Sequence, residues 1–403
     1  MILVLGSMVA LGPLTIDLYL PALPTIEREL DTTASAVQLT LTGTLLGLGL
    51  GQLVVGPLSD RFGRRRPVVV GTLVHVAASA LCAVAPTIEV LGALRLLQGL
   101  GAAASAVVAM AIVRDLHVGA DAAVLLSRLM LVLGAAPILA PSLGGAILAV
   151  TSWRGIFVVL GAAGLALTAL GLFVVPETLP PERRRGASLR LVADGYRTLL
   201  RDRTYTALVL CASLLTAATF SYVSGASFVL QDLHGLSEQA FGVVFSVGAV
   251  LLIAGTQLSA RLVRTRPPAR LLWTTLGLGT AVAVVGVVAV ATAGGALPVL
   301  LVPTWTVLGL VGVTNPLPTA LALSRHGEAA GAAAALLGAV RFGLGAAAAP
   351  LVSVLGNDDL AMAATMGAAM VGSLLIVALI RGSLDDTPEP HVVVAADPAT
   401  ATD

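Results

Sequence analysis

The sequence contains no lysine; all 23 of its basic residues are arginine. Charge of either sign is scarce. Asp, Glu, Lys and Arg make up 11% of the 403 residues, where a water-soluble domain carries about a quarter. Aromatic residues are 4%, too few for a large aromatic cage around a cationic ligand. The two cysteines, Cys82 and Cys211, both fall in apolar stretches, so a disulfide framework is not indicated. No His, Cys, Asp or Glu cluster has metal-ligand spacing, and no nucleophile–base pair of recognisable type is present. The glycines of Gly47-Leu48-Gly49-Leu50-Gly51 sit inside an apolar run and lack the lysine of a phosphate-binding loop. The reading is of a non-enzyme with no metal and no cofactor.

What the chain has in abundance is hydrocarbon. Hydrophobic residues are 57%, the mean hydropathy is +0.97, and 43 glycines suit helices packed closely in a membrane. Such a chain leaves no room for a nucleic-acid-binding domain. Windows of about 20 apolar residues predict twelve spans, near 2–24, 36–58, 67–86, 90–114, 123–148, 154–176, 204–230, 238–260, 270–292, 296–322, 329–352 and 358–381. The first is not read as a cleavable signal peptide, because Met1-Ile2-Leu3 has no basic region before it. If the loop Arg61–Arg66 is cytoplasmic, nineteen of the 23 arginines fall on that side and two, Arg28 and Arg154, on the other. That asymmetry follows the positive-inside rule and makes both termini cytoplasmic.

The expected architecture is all-α, with twelve transmembrane helices in two pseudo-symmetric six-helix bundles over 1–176 and 204–381. The linker 177–203 sets Leu189, Val192, Tyr196 and Leu199 at helical spacing against Arg190, Arg197 and Arg201, as in a helix lying on the inner leaflet. The acidic tail 382–403 has no apolar periodicity and reads as disordered. The halves are related: Leu58-Ser59-Asp60-Arg61-Phe62-Gly63-Arg64-Arg65-Arg66-Pro67 recurs as Leu258-Ser259-Ala260-Arg261-Leu262-Val263-Arg264-Thr265-Arg266-Pro267, with six of ten positions identical. Such duplication implies a central cavity between the halves. The second copy has lost the acid and the glycine.

Asp17 is the one acidic residue well inside a span. A carboxylate in hydrocarbon is costly, and an intramembrane ionisable group is by default a functional-site hypothesis. In the loop after the second span, Gly63 permits a tight turn. Asp60, at a helix C-terminus that disfavours an acid, is expected to pair with Arg61 or Arg114. Either this loop is a latch that breaks and re-forms, or it is a stop-transfer loop that fixes topology. In span 5, Pro137, Pro141, Gly144 and Gly145 are expected to interrupt the helix, as a flexible wall against leak or as ordinary close packing. Arg341, near the middle of span 11, must face a cavity or a partner; it could bind an anionic substrate group, offer Asp17 a partner, or be satisfied by carbonyls and water near Asn315. Tyr19, Gln38, Phe220, Tyr222 and Asn315 are further cavity-lining candidates, and His75 reads as a packed neutral histidine rather than a proton relay.

The Gly56–Arg65 spacing resembles the signature loop of the major facilitator superfamily. Arg95-Leu96-Leu97-Gln98-Gly99-Leu100-Gly101-Ala102-Ala103 is similar to that superfamily's span-4 motif, with Gln98 a further cavity candidate. Pro137-Ile138-Leu139-Ala140-Pro141-Ser142-Leu143-Gly144-Gly145 resembles the antiporter motif of its drug-exporting members, with Ala140 where glycine is usual. Trp153-Arg154 and Pro176-Glu177-Thr178-Leu179 fit the same pattern. Thr15–Pro24, Gly51-Gln52 and Val113-Arg114-Asp115-Leu116 resemble the bicyclomycin/chloramphenicol-resistance branch. The resemblance implies a monomer in a bacterial inner membrane that exports small, mostly hydrophobic drugs against protons. It assigns Asp17 and Arg95 to coupling, and Gly56, Asp60, Arg61, Gly63, Arg64, Arg65, Arg114 and Asp115 to a conformational latch. Asp17 and Arg95 both lie about 8–10 Å below the same surface at 1.5 Å per residue, the equal depth that an ion pair needs. A static bridge fixing helix register is the alternative to coupling. The rival function is an exporter or symporter of a small metabolite such as an amino acid or sugar acid.

Overall fold

The structure, a computed structural model, describes residues 2–117, 119–184, 189–293, 295–326 and 329–382. The first half comprises α1 (Ile2–Asp17), α2 (Leu23–Glu29), α3 (Ala34–Phe62), α4 (Arg65–Ala83), α5 (Ile88–Leu116), α6 (Gly119–Leu148) and α7 (Trp153–Phe173). Helix α8 (Leu189–Arg201) lies on the connection. The second half comprises α9 (Arg203–Phe228), α10 (Glu238–Leu262), α11 (Pro268–Ala293), α12 (Leu297–Thr314), α13 (Pro316–Ser324), α14 (Ala330–Ala348), α15 (Leu351–Val354) and α16 (Asp359–Leu379). Twelve segments are long and apolar enough to cross a membrane, three of them (α1–α2, α12–α13 and α14–α15) broken within the span. Most of the tail, residues 383–403, lies outside the described residues.

Several helices begin at a side-chain cap that satisfies the free N–H groups of the first turn. Thr33 accepts from Ala36, Thr87 from Val90, Ser237 from Ala240 and Asp358 from Ala361. On α8, Leu199 is buried and Tyr196 half-buried, while Arg197 and Arg201 are exposed. The pseudo-symmetry is visible in the packing. Span 2 meets span 4 where a Cβ at Gly47 or Gly99 would strike the facing backbone, and span 8 meets span 10 in the same way at Gly255 and Gly312. Between halves, α3 packs against α14 and α6 against α10.

Candidate functional site

The first span does not run straight. Helix α1 stops at Asp17, a 3-10 turn follows over Leu20–Ala22, and α2 resumes at Leu23. Pro21 is the cause. It stands four residues after Asp17, so it offers no N–H to the Asp17 carbonyl and its ring crowds that carbonyl. Pro24 does the same to Leu20. The freed Leu20 carbonyl takes another donor, Ser227 Oγ on α9 at 2.6 Å, and beside it Gln231 Nε2 donates to Pro21 O at 3.2 Å.

The third donor to this break is Arg95. Its Nη1 reaches Thr15 O at 2.9 Å and Gln98 Oε1 at 2.6 Å. Its guanidinium carbon lies over the Tyr19 ring at 4.4 Å and near the Phe157 ring at 5.6 Å. Arg95 is fully enclosed, and its Nε and Nη2 have no partner. Among the described residues, nothing donates to the Asp17 carboxyl and no ion pair includes it. The expected Asp17–Arg95 ion pair is therefore not formed here. The depth match is real, but the proline break leaves main-chain oxygens at the negative end of α1, and the arginine serves those. Asp17 is 6% exposed.

A buried polar chain continues from Arg95. Gln98 Nε2 donates to Ser79 Oγ at 2.7 Å, and Ser79 donates to His75 O at 2.7 Å. The Thr15 hydroxyl has one proton and gives it to Leu11 O at 2.6 Å, so His75 Nε2–H must donate to Thr15 Oγ1 across their 3.0 Å contact. His75, on α4, thus packs against α1, tied by a hydrogen bond to the turn that ends in Asp17. Ser79 carries no signal in the sequence, whereas Pro21 at i+4 from an intramembrane acid is a readable one.

At the arginine-rich end, Gly63 adopts φ +88° and turns the chain out of α3. Arg64 then folds back onto Asp60 at 2.6 Å and Ser59 at 2.8 Å, and its Nε meets Asp115 at 2.8 Å. The partner of Asp60 is Arg64, not Arg61 or Arg114. Arg64 stands at i+4 from Asp60, the spacing at which side chains meet on one face, whereas the Arg61 guanidinium lies over the Phe62 ring. Arg114 is exposed and joins no ion pair among the described residues. Burial would lower the Arg64 pKa, but the hydrogen bonds and charges of Asp115 and Asp60 outweigh it and raise it above the usual arginine value. Glu177 completes the cluster, accepting from Arg64 N at 2.8 Å and Leu179 N at 3.1 Å. Thr178 donates to Asp115 at 2.8 Å. Arg65 caps the last carbonyls of α7, Gly171 and Leu172. A Cβ at Gly56 would meet nothing.

Helix α6 is continuous from Gly119 to Leu148 through Pro137 and Pro141, so the expected interruption does not occur. Its small residues act by closeness instead. Gly144 lies against the Leu18 carbonyl at the span-1 break, and a Cβ at Gly145 would stand 2.9 Å from Glu238 O on α10. The cavity candidates divide. Tyr19, Gln38, Gln98 and Tyr222 are enclosed, while Phe220, Asn315 and Arg341 keep partial exposure. Tyr19 bonds Thr40 at 3.0 Å, Gln38 donates to Ser224 O at 3.1 Å, and Tyr222 stacks on Phe245 with 5.1 Å between centroids. Asn315 keeps Oδ1 unpartnered beside the α12–α13 break. Arg341 Nε donates to Thr216 Oγ1 at 3.0 Å.

The two halves are pinned at one end. Gln38 to Ser224, Thr42 to Ala346 O at 2.8 Å, Ser246 to Ile138 O at 2.6 Å and the Leu20 and Pro21 contacts all lie away from the arginine-rich loop. Among the described residues, no hydrogen bond crosses between the halves at the arginine-rich end.

The family model described as Major Facilitator Superfamily matches residues 5–350. The chain belongs to that superfamily. It is 36% identical over 383 residues to the MFS-type transporter YdgK of Bacillus subtilis (strain 168), covering 94% of each chain. It is 32% identical to the bicyclomycin resistance protein homolog of Haemophilus influenzae, over 93% of this chain and 94% of the relative. The crystal structure of a D-xylose-proton symporter superposes with a TM-score of 0.69 at 16% identity, covering 96% of this chain and 98% of that one. As a superfamily member, the chain is a multi-pass membrane transporter of small molecules rather than an enzyme.

Proposed function

We propose that this transporter is a proton-coupled exporter of small, mostly hydrophobic drugs in a bacterial inner membrane. The observation that carries the reading is Asp17, an acid at a break in a membrane span that joins no ion pair among the described residues. Such a carboxyl can gain or lose a proton without first breaking an ion pair. The likeness to a bicyclomycin resistance protein homolog supports drug as the cargo. Nineteen arginines at one end support a cytoplasmic assignment for that end. The pinned end then faces outward and the site opens to the cytoplasm, where cargo enters.

Coupling runs through the break. Asp17 lies three residues before Leu20, whose carbonyl holds Ser227 of the other half. Charging or neutralising Asp17 changes the electrostatics of the turn that closes the outer end. Arg95 keeps two unpartnered nitrogens, Nε and Nη2, so it can take the Asp17 carboxylate when the turn rearranges. The Arg64–Asp60–Asp115–Glu177 cluster holds the ends of four helices as one body while the halves rock about the site.

The rival reading, transport of an anionic metabolite, is favoured by Arg341 alone. A drug-susceptibility panel in an efflux-deficient host, run with wild type and Asp17→Asn, tests the proposal. Raised resistance with wild type and none with the variant is the expected result; no change in resistance with wild type contradicts drug export.

A further inference from the structure

Arg341 is a midspan cation with spare donors. It stands eleven residues into the span Ala330–Val354 and is partly exposed. Its Nε is used by Thr216, whose own hydroxyl proton goes to Ala212 O at 2.9 Å. Among the described residues, neither Nη meets an acceptor or a carboxylate, and neither is sealed from solvent as Arg95 Nε and Nη2 are. A guanidinium at this depth does not face lipid. Its free Nη groups therefore open onto the space between helices, and they lack a counter-ion.

Two neighbours give that space a character. Gly338 stands one turn before Arg341 on the same face of α14. The Gln52 side chain of α3, from the opposite half, puts its Oε1 into the position a Cβ at Gly338 would take, and its Nε2, 3.2 Å from that position, is the end left to donate. The Gln52 amide is partly exposed and has no hydrogen-bond partner among the described residues. One turn after Arg341, Gly345 lets the Phe220 ring of α9 lie flush against α14; a Cβ there would stand 2.7 Å from Phe220 Cδ2. A forked cation, an amide donor and an aromatic face thus share one strip of α14.

Resting on the reading of this space as the cargo's path, we propose that the strip is a subsite for a carboxylate, and that the exported compound is an aromatic or otherwise apolar carboxylic acid. The two free Arg341 N–H groups match the two oxygens of a carboxylate. Gln52 Nε2 donates from the other half, and Phe220 covers the apolar body. The anion supplies the counter-ion that the protein does not.

The test is isothermal titration of the purified full-length protein in detergent with nalidixic acid, an aromatic carboxylate, and with its carboxamide. Wild type is expected to bind the acid about tenfold more tightly than the amide, the scale of a charge-assisted hydrogen bond. Arg341→Gln is expected to erase the preference, and Arg341→Lys to keep part of it. Should Arg341→Gln fail to fold, Gln52→Ala carries the test, with a several-fold loss for the acid and none for the amide. Equal affinity for acid and amide, no binding of the acid by wild type, or a preference that survives Arg341→Gln overturns the proposal. Chloramphenicol, which has no carboxylate, is titrated in parallel. Its failure to bind counts against drug export and leaves the carboxylate subsite standing.

Discussion

Arg95 Nη1 donates to the carbonyl oxygen of Thr15 at 2.9 Å, at the C-terminal end of α1. A cation at a helix C-terminus is stabilised by the free carbonyls and the macrodipole, by about 0.3–2 kcal/mol. The Tyr19 and Phe157 rings add cation–π attraction of about 2 kcal/mol in a desolvated setting. Arg95 is thus held without an acid, and Asp17 is left as a separate protonatable group one half-turn away.

That separation has a thermodynamic signature. Asp17→Asn and Arg95→Gln are expected to change unfolding stability additively, with a coupling energy within about 0.5 kcal/mol. A direct buried ion pair gives about 3–5 kcal/mol when one partner is removed and a large coupling term. Denaturant unfolding of the two single variants and the double variant in detergent measures it.

Pro21→Ala restores an N–H four residues after Asp17. The first span is expected to straighten, since proline in a helix interior costs about 3 kcal/mol. The variant should be at least as stable as wild type yet export poorly, because the Leu20 and Pro21 carbonyls then turn away from Ser227 and Gln231. Thermal unfolding and vesicle transport, measured on the same preparation, check both halves of this expectation.

Arg64→Ala removes the one cation that joins Asp60, Ser59 and Asp115. With Arg64 6% exposed but Asp60 open to solvent, the expected loss is about 1–3 kcal/mol. Arg61→Ala and Arg114→Ala, whose side chains join no ion pair among the described residues, should each stay within about 0.5 kcal/mol of wild type. Equal losses at all three positions would mean that net loop charge, not this geometry, is what matters.

Asp202 caps α9 through Thr204 N at 2.9 Å and pairs with Arg325 at 3.0 Å. Burial pushes its carboxyl up, but the Arg325 pair and the backbone bonds outweigh burial and hold it below the usual aspartate value. A depressed acid stabilises the fold fully above its unfolded value of about 3.9 and loses that contribution as pH falls through the folded value. Thermal midpoints of wild type are therefore expected to drop below about pH 4 by more than those of Asp202→Asn. Parallel curves over that range would exclude the pairing.

Twelve spans and their approximate ends were legible because hydrocarbon thickness fixes span length and each span is bounded by charge or by turn residues. The arginine-rich loop was legible as a cluster, but not its pairing. Gly63 redirects Arg64 toward Asp60, and no spacing rule gives the path of a chain after a positive φ. The Asp17–Arg95 pair was inferred from equal depth, which placed the arginine correctly and its acceptor wrongly. The missing step was local: Pro21 at i+4 unwinds the helix and creates the acceptors that Arg95 uses. In span 5 the prolines were given too much weight, since α6 runs through both without a break. Ser79 was invisible, and Thr15 and Glu177 were legible only as members of motifs, because single polar residues acquire a role only from what the fold brings beside them.

The central claim is that Asp17 carries the exchanged proton. Addition of nalidixate, adjusted to the same pH, to purified wild-type protein in weakly buffered detergent solution is expected to release protons. Asp17→Asn, folded and with its affinity for the drug measured alongside, is expected to release none. Proton release by Asp17→Asn equal to that of wild type would contradict the account.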